Sequence, residues 1–378
     1  MKNLKIQQLG KIISGGTPST INDNYWDGEV IWITPKDLSK NKNKYIYNGE
    51  RNITQEGLEH SSAKLLPINS VLLSSRAPIG YLAIAGCELT TNQGFKSIIC
   101  DESIVLPEYL YYSLSTKIDD LISISSGSTF LELSKSRFEN FELNVHTIQE
   151  QQHIVNTIGT LDDLIENLLK QNEKINLLIQ EILRKNTINT KKCKIEFLPG
   201  YSIIKSGITN FEGNKIYLDT ASVNKTIIES TDYIITQTNK PSRANMQPIP
   251  NSIWFAKLKD SPKYLFVLDY MTDILNEYIF STGFLGLKTA NSKIANYFYA
   301  LITSADFDEQ KNRLSIGATM QGINNDSFKE IFVPELSIET IERIGSQIEE
   351  FTKIIYINNC KISNLKNQKE QYLKKYFG

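Results

Sequence analysis

Histidine, the residue most often used for metal binding and acid–base chemistry, occurs only three times in this chain of 378 residues. His60, His146 and His153 have no spacing typical of metal ligands or of a catalytic triad. The motifs GxxxxGK[ST], GxGxxG, HExxH and GxSxG are all missing. The serine-rich segments Ser14–Gly16 and Ser125–Thr129 are better interpreted as turns than as nucleophile loops. The sequence therefore contains no recognisable catalytic constellation.

Cysteine is also scarce, and long apolar runs are missing. The four cysteines are far apart and none has CxxC spacing, which indicates a reducing compartment and argues against a disulfide scaffold or a zinc site. No apolar stretch is long enough for a membrane span. Neither sign of charge dominates, since the formal net charge is −1, so a nucleic-acid partner would depend on local charge at one face. We expect a cytoplasmic globular protein with two domains.

A segment of the chain is repeated after about half its length. Ser126–Leu143 reads SGSTFLELSKSRFENFEL, and in the second half Ile316–Val333 reads IGATMQGINNDSFKEIFV. The identical pairs in this register are Gly127 with Gly317, Thr129 with Thr319 and Phe138 with Phe328. A repeat with this period predicts two related halves.

Each repeated segment is followed by a long apolar pattern with alternating steps of four and three residues. The first seam comprises Ile154, Ile158, Leu161, Ile165, Leu168, Asn172, Ile175, Ile179 and Ile182. The second comprises Ile344, Ile348, Phe351, Ile355, Asn358, Ile362 and Leu365. Each seam has one polar member, an asparagine, which would cost stability but help to fix register and orientation.

Two interpretations of these seams are open. Each helix could pack on the core of its own domain, as most apolar helix faces do. Alternatively, the two helices could form a coiled coil, because about 35 residues at 1.5 Å each give roughly 50 Å, longer than a small domain can cover. We favour pairing of the two helices, and an antiparallel arrangement if the halves are related by a two-fold axis.

The parts before the helices predict mixed α and β structure. Segments such as SVLLSSRAPIGYLAIAG and GFKSIICD have strand composition, and Leu106–Ser123 has helical spacing. The predicted class is α+β, with two pseudo-repeated globular domains at 1–147 and 187–335. Long helices are predicted at 148–186 and 336–376, and the link between the halves at Arg184–Gly200.

Polar loops are the remaining feature that could carry a function. Arg, Lys, Asn, Gln, Ser and Thr cluster in turn-rich segments, and Lys and Arg outnumber Asp and Glu between Arg184 and Lys259. Such side chains on a rigid scaffold suit contacts to phosphates and base edges. The same pattern also fits a solvated loop surface, so the residues alone leave both interpretations open. The loops in question are Ser14–Thr20, Trp32–Lys44, Ser74–Gly80, Thr90–Lys96 and Thr236–Gln247.

Several motifs of the first half resemble a known family. GGTPST, YWDGEVIWITPKDLS, GERNIT, LLPINSVLLSSRAPIGYLAI and TTNQGFKSI are similar to the target recognition domain of type I restriction–modification specificity subunits. In the second half, IYLDTASVN stands in the place of IWITPKDLS, and SIWFAKLKDSPKYLFVLDY resembles the region SVLLSSRAPIGYLAIA. Within that region SIWFAKL is matched with SSRAPIG. The resemblance extends over nearly the whole chain.

The resemblance implies a division of labour between subunits. Each half would read one part of a bipartite DNA target, and the two helices would act as a spacer that docks two methyltransferase subunits. S-adenosylmethionine and the base-flipping chemistry would belong to those subunits, with no cofactor on this chain, and restriction subunits carrying a motor and nuclease would join them.

The resemblance also implies candidate DNA contacts at the polar positions of the matching motifs. In the first half these are Thr17, Ser19, Lys36, Ser75, Arg76, Asn92, Gln93 and Lys96. In the second half they are Lys240, Arg243, Asn245 and Gln321. Asp37 and Gly80 fit structural roles equally well, as a turn acceptor and a position with positive φ.

Two other functions remain to be weighed. The chain could be a DNA methyltransferase or nuclease fragment with its own recognition domains, but neither a cofactor loop nor an acidic or NPPY-like motif is present. It could also be a structural coiled-coil adaptor without a DNA role. The target bases, the methylated base and the spacer length are not encoded in any readable motif.

Overall fold

The computed structural model describes residues 1–41, 43–127, 131–229, 231–317 and 320–378. The chain divides into two compact units, of which the first comprises Met1–Asp163 with Lys366–Gly378 and the second Leu164–Leu365. Thr129 and Thr319, which belong to the predicted repeat, lie outside the described residues. Within the described ranges, no helix is both long and apolar enough to cross a membrane.

The first unit consists mainly of short strands, with short helices between and after them. Its strands are β1 (Lys2–Lys5), β2 (Gly10–Ser14), β3 (Trp26–Ile33), β4 (Tyr45–Ile46), β5 (Arg51–Ile53), β6 (Val71–Ser75), β7 (Ile79–Ala85), β8 (Thr90–Thr91), β9 (Lys96–Cys100) and β10 (Glu142–Val145). Its helices are α1 (Pro35–Lys40), α2 (Gln55–Glu59), α3 (Pro107–Ser115), α4 (Ile118–Ser123), α5 (Lys135–Glu139) and the first part of α6 (Ile148–Thr187). The strands and helices expected from composition and spacing are therefore present.

A five-stranded sheet with the order β2-β9-β6-β7-β4 lies at the centre of the first unit. All five residues of β6 are buried, because alternate side chains of this strand enter cores on opposite faces of the sheet. Leu73 packs in one core with Tyr109 of α3, whereas Leu72 packs in the other with Phe95. A smaller sheet, β5-β3-β8, and the antiparallel pair β1-β10 complete the unit.

The second unit has the same kinds of elements in a similar order. Its strands are β11 (Lys192–Lys194), β12 (Tyr201–Ile203), β13 (Lys215–Leu218), β14 (Val223–Asn224), β15 (Ile227–Ile228), β16 (Ile234–Ile235), β17 (Ala244–Met246), β18 (Ser252–Ala256), β19 (Tyr264–Val267), β20 (Tyr278–Ser281), β21 (Phe284–Thr289) and β22 (Phe332–Pro334). Its helices are α7 (Thr272–Glu277), α8 (Ser292–Ile302), α9 (Ala305–Arg313), α10 (Asn325–Lys329) and most of α11 (Ile338–Phe377).

The central strand of the second unit is β18, in the sheet β12-β21-β18-β19. Its five residues are also all buried, with Trp254 and Phe255 entering different cores. A second sheet has the order β16-β13-β20-β17, and the short pairs β14-β15 and β11-β22 lie outside both sheets.

The repeat seen in the sequence is a structural repeat. Helices α5 and α10 are separated along the chain by the same offset as α6 and α11, and each of the long helices has 40 residues. An isolated bridge joins Ser126 to Glu132 in the first unit and Ile316 to Gly322 in the second, again at this offset. The predicted α+β class with two pseudo-repeated parts and two long helices is confirmed.

The pairing pattern corrects one detail of the repeat. Val71 of β6 pairs with Ile98, and Ile253 of β18 pairs with Leu287 in the corresponding sheet. SIWFAKL therefore corresponds to SVLLSSR and not to SSRAPIG, so the sequence match of these segments was shifted by four residues. In the corrected register Lys257 takes the place of Ser75, because Leu133 N bonds to Ser75 O and Ile323 N bonds to Lys257 O, both at 2.9 Å.

The predicted link at Arg184–Gly200 is largely structured. Helix α6 continues to Thr187, held there by bonds such as Thr187 Oγ1 to Leu183 O at 2.8 Å. Strand β11 and a 3-10 turn at Ile195–Phe197 occupy much of the remainder. The polar composition of this segment belongs to an exposed helix end and an edge strand.

Within the second unit, α6 and α11 lie side by side in antiparallel orientation. Asn172 Oδ1 accepts a bond of 2.9 Å from Asn358 Nδ2, and Asn172 Nδ2 donates one of the same length to Asn359. Further along, Arg343 Nη1 donates to Asn186 Oδ1 at 2.9 Å. Both seam asparagines are buried, at 4% exposure, so these amides satisfy each other where water is excluded.

The apolar seam residues serve two purposes. Some belong to the globular cores, since Ile154 and Ile158 pack in the first unit with Tyr109. In the second unit Ile344, Ile348 and Ile355 are fully buried in the main core. Partly buried members of the seams are Leu161, Ile165, Leu168 and Phe351. Core packing and helix pairing, which the sequence left as alternatives, are both present.

We expect Asn172→Ala to destabilise the second unit, because it leaves the buried Asn358 amide without its acceptor. A buried polar group left unpaired typically costs about 1–3 kcal/mol. The measurement is the urea midpoint of the full chain, compared with Gln171→Ala, which truncates the exposed neighbouring residue on the same helix. Equal midpoints for the two variants would contradict a stabilising role for the asparagine pair.

Candidate nucleic-acid interface

Two of the predicted polar loops of the first unit meet at one edge of its sheets. The loop after β2 contacts the loop between β8 and β9, where Gly16 N donates to Thr91 O at 2.8 Å. Thr17 Oγ1 donates to the side-chain oxygen of Gln93. Asn92 N donates to Ile33 O at 3.0 Å, which fixes this loop to the end of β3. The fold thus brings together side chains that are 76 residues apart in sequence.

The double glycine of GGTPST makes this contact possible. A Cβ on Gly15 would lie 2.1 Å from the carbonyl oxygen of Asn92, which no side chain could tolerate. The carbonyl of Gly16 accepts a bond of 2.9 Å from the indole nitrogen of Trp32. The loop is therefore fixed by its backbone, and the side chain of Thr17 is positioned beside Gln93.

Arg76 extends this polar surface from the end of β6. Its Cγ atom is 3.7 Å from where a Cβ would project from Gly94, and Gly94 N donates to Asn92 Oδ1 at 2.9 Å. The guanidinium approaches Glu132, with Nη1 3.5 Å from Oε2. The side chain remains 39% exposed, so the ion pair is partly hydrated and weak. We call Thr17, Arg76, Asn92 and Gln93 the first polar surface.

Lys96 and Ser75 lie beneath the first polar surface. Lys96 is only 6% exposed, and its Nζ atom donates to Ser75 Oγ and to Phe95 O, both at 3.4 Å. Burial lowers the pKa of the Lys96 amine, Glu132 opposes this effect, and Arg76 adds to it. Ser75 is fully buried and is the last residue of a central strand, so its hydroxyl faces the amine and not solvent.

The other predicted residues of the first half are outside the first polar surface. Lys36 forms an exposed ion pair of 2.9 Å with Glu50, and the hydrogen bond with that carboxylate raises the pKa of Lys36. Ser19 is exposed and lies two residues after Thr17 in the same loop. Asp37 caps helix α1 through Thr34, with Oδ2 2.8 Å from Thr34 N, and Gly80 has a φ of +106°. Both of these residues have the structural roles considered for them.

In the second unit, the four predicted residues are not equally placed. Arg243 Nη2 lies 3.2 Å from where a Cβ would project from Gly283, and Arg243 is exposed. Gln321 Oε1 accepts a bond of 3.0 Å from Lys259 Nζ. The backbone of Asn245 bonds to Gly207 and Arg243, which places its half-buried side chain on β17. Lys240 is half-buried in the turn before Arg243, and among the described residues it makes no side-chain hydrogen bond to the other three.

Lys257 is a candidate that the sequence did not reveal. Its backbone N donates to Gly283 O at 2.9 Å, as Ser75 N does to Gly94 O at 2.7 Å, so the two positions are equivalent. Its Nζ atom donates to Thr282 O at 3.0 Å. Burial lowers the pKa of this amine, and Arg243 lowers it further. Correct alignment of SIWFAKL with SVLLSSR would have placed Lys257 next to the matched motif.

The first half of the chain matches a known family. The sequence model for the type I restriction modification DNA specificity domain matches residues 1–177. The likeness to this family therefore concerns residues 1–177, which include the first unit's globular part and the first part of α6.

Part of the chain is also similar to proteins with curated names. A specificity subunit of the type I restriction enzyme MjaIX from Methanocaldococcus jannaschii is 44% identical over 194 residues, which are 51% of this chain and 45% of the relative. The specificity subunit of EcoR124I/EcoR124II from Escherichia coli is 29% identical over 168 residues, 43% of this chain and 41% of the relative. The matches thus span less than half the length of these relatives.

A solved structure resembles the fold over its whole length. The crystal structure of a type I restriction-modification S subunit from M. genitalium has a TM-score of 0.55 and 16% identity, and covers 100% of this chain and 96% of that chain. At this identity the likeness concerns the fold alone.

We expect Arg76→Ala to weaken or relax selection of one part of a DNA target and to leave the other part unchanged. An arginine that contacts a base edge typically contributes about 1–3 kcal/mol of discrimination. The measurement is binding to a panel of duplexes that differ by single base pairs.

Glu132→Gln is the matched variant, because it keeps the shape of the partner and removes the carboxylate next to Arg76. It should bind DNA at least as tightly as the native chain, since an anion that competes with DNA for the guanidinium is gone. Equal loss of selectivity in both parts of the target, or loss of native circular dichroism in Arg76→Ala, would show that Arg76 is structural.

Proposed function

We propose that this protein is the DNA specificity subunit of a type I restriction–modification complex, in which each unit reads one part of a bipartite DNA target. The observation that carries the proposal is the combination of the family match with the structural repeat. The matched domain is a DNA specificity domain, and the second unit repeats its order of elements and its long helix. A chain with two such units is suited to two separate sequences.

The geometry of the loops supports DNA as the ligand. The first polar surface presents an arginine, two amides and a hydroxyl on loops that are fixed by backbone bonds, the groups that commonly recognise base edges. We propose Thr17, Arg76, Asn92 and Gln93 as the foremost contacts of the first unit, with Ser19 and Lys36 at its margin. Lys96, supported by Ser75, would add a positive charge beneath them. Arg243, Asn245, Lys240 and Gln321 are the proposed contacts of the second unit.

We further propose that the chain acts with other subunits and is not itself an enzyme. Helices α6 and α11 would dock two methyltransferase subunits, whose own sites would hold S-adenosylmethionine, and restriction subunits would join this assembly. The exposed leucines Leu164, Leu177 and Leu178 on α6 support a protein partner at the helices. The complex would work in the cytoplasm, where its DNA target lies and where the four free thiols stay reduced.

The test is reconstitution with type I methyltransferase subunits from the same organism, followed by methylation mapping of random-sequence DNA. We expect methylation only when all subunits are present, at a target made of two fixed sequences separated by a gap of fixed length. Such a pattern requires two readers that are held together, which is what two units on one chain supply.

Two other outcomes would reject the proposal. Methyl transfer by the purified chain alone would identify it as an enzyme. A full complex that methylates DNA with no dependence on this chain, or with one contiguous target, would leave the second unit without a role in reading DNA.

A further inference from the structure

In each unit an arginine side chain lies beside an equivalent glycine, although the two arginines come from different parts of the sequence and approach with different atoms, Cγ of Arg76 and Nη2 of Arg243. In the first unit Arg76 lies beside Gly94 and follows the central strand β6. In the second unit Arg243 lies beside Gly283 and precedes β17. The glycines are equivalent because each accepts a backbone bond from the residue at the end of the central strand. An arginine at this place is therefore a shared feature that sequence alignment alone does not reveal.

Each unit also holds a poorly solvated lysine amine next to that glycine. Lys96 in the first unit bonds to Phe95 O, the residue after Gly94. Lys257 in the second unit bonds to Thr282 O, the residue before Gly283. Lys96 and Lys257 are not at equivalent positions of the repeat. The amine, like the arginine, therefore comes from a different element in each unit.

The two sites differ in how their charge is balanced. In the first unit the carboxylate of Glu132 approaches Arg76 and also favours the charged form of Lys96. The equivalent residue in the second unit is Gly322, which has no side chain. In the part of the chain that the structure describes, Lys257 and Arg243 form no ion pair with a carboxylate.

Two carboxylates on neighbouring segments make their hydrogen bonds to neutral groups and not to Lys257 or Arg243. Lys263, which donates to the carbonyl of Thr220 beside Gly283, adds a third cation. The carboxylate of Asp219 accepts bonds from Ser222 N and Ser222 Oγ, at 2.8 and 2.9 Å. Asp260 is paired with Asn312, at 3.0 Å. A partly buried amine next to an exposed guanidinium brings two positive charges together with no carboxylate among the described residues bonded to either, an arrangement that a bound anion would stabilise.

We propose that Lys257 and Arg243 form a phosphate-binding site of the second unit that takes a backbone phosphodiester of DNA. This inference rests on the proposed function and adds a specific contact to it. DNA and free phosphate both present phosphate oxygens, which accept hydrogen bonds well from an ammonium and from a guanidinium group. Because Glu132 occupies the equivalent region of the first unit, the corresponding phosphate contact there is weaker. The two halves of the target therefore differ in their dependence on salt.

The experiment measures DNA binding by the full complex with methyltransferase subunits at salt concentrations between 50 and 200 mM. Each neutralised phosphate adds about 0.9 to the slope of log K against log salt concentration. We expect Lys257→Met and Arg243→Ala each to reduce this slope, and the double variant to reduce it by about 0.9. The affinity of the double variant would then fall about 3.5-fold less over this range than that of the native complex.

The control is Lys293→Met, which removes an exposed lysine on α8 of the same unit and should leave the slope unchanged. Methylation mapping should give the native sequence for both halves of the target in all four variants, because phosphate contacts carry no direct sequence information. Arg243 is exposed, so its truncation tests the site even if Lys257→Met folds poorly.

Three results would overturn the inference. One is an unchanged slope in both single variants. Another is a relaxed second sequence, which would make these residues base readers. The third is that inorganic phosphate stabilises the native chain against unfolding but not Lys257→Met, while the salt dependence of DNA binding is the same in both. That result would assign the site to free phosphate. If the native complex shows no sequence-specific binding at all, the proposed function itself fails. The measurement on the native complex shows this independently of the variants.

Discussion

The need to cover the apolar seam of two 40-residue helices governs this structure. A helix of that length with an apolar residue at every third or fourth position has no stable free state in water. The globular cores cover part of it. Ile154 and Ile158 of α6 lie in the core of the first unit together with Phe377 from the far end of α11. The first unit is therefore complete only when residues 366–378 have joined it.

The same need explains the polar residues in the seams. In the second unit an apolar residue at position 172 or 358 would fit several registers of the two helices equally well. The mutual bond between Asn172 and Asn358 is satisfied in one register only, because a shift would bury both amides unpaired. Each asparagine thus gives up some hydrophobic stabilisation, and in return it fixes the position of α6 against α11 within this unit.

The globular parts combine a constant frame with variable side chains. The central strands β6 and β18 are buried throughout and occupy the same place in their sheets. At the end of each strand, a backbone N–H donates to the carbonyl oxygen of an equivalent glycine. The residues around that glycine are different in each unit, with Ser75 and Arg76 in one and Lys257 and Leu258 in the other. A frame that depends on backbone bonds and apolar packing leaves the loop side chains free to change. This is what two readers of different sequences would require.

Much of this architecture follows from patterns that depend on spacing. The 4-3 seams, the constant offset between the repeated segments and the strand composition are all local or periodic, so they predicted the long helices, the repeat and the class of fold. The candidate site was less accessible, because it depends on which loops meet in space. The contact of Thr17 with Gln93 could not be read from spacing, and neither could the burial of Ser75.

The second unit was harder to interpret for a specific reason. Four residues of misalignment in SIWFAKL hid the equivalence of Lys257 and Ser75, since hydrophobic composition alone does not fix the register of a fully buried strand. The strand and the 3-10 turn within the link at Arg184–Gly200 could not be predicted from its composition, because exposed helix ends and edge strands are as polar as loops. The placement of Arg243 beside Gly283 depends on the pairing of β17 with β20. This pairing is long-range and contains a bulge, and no local sequence pattern predicts it.

The most direct test of the central claim is to make the two units identical. Residues 192–337 would be replaced by residues 2–147, which keeps both long helices and their separation along the chain. The target of the reconstituted complex would then be mapped by methylation. The account predicts a target in which both fixed sequences are the one read by the first unit of the native chain. A folded, active complex that still methylates the native pair of sequences would contradict it.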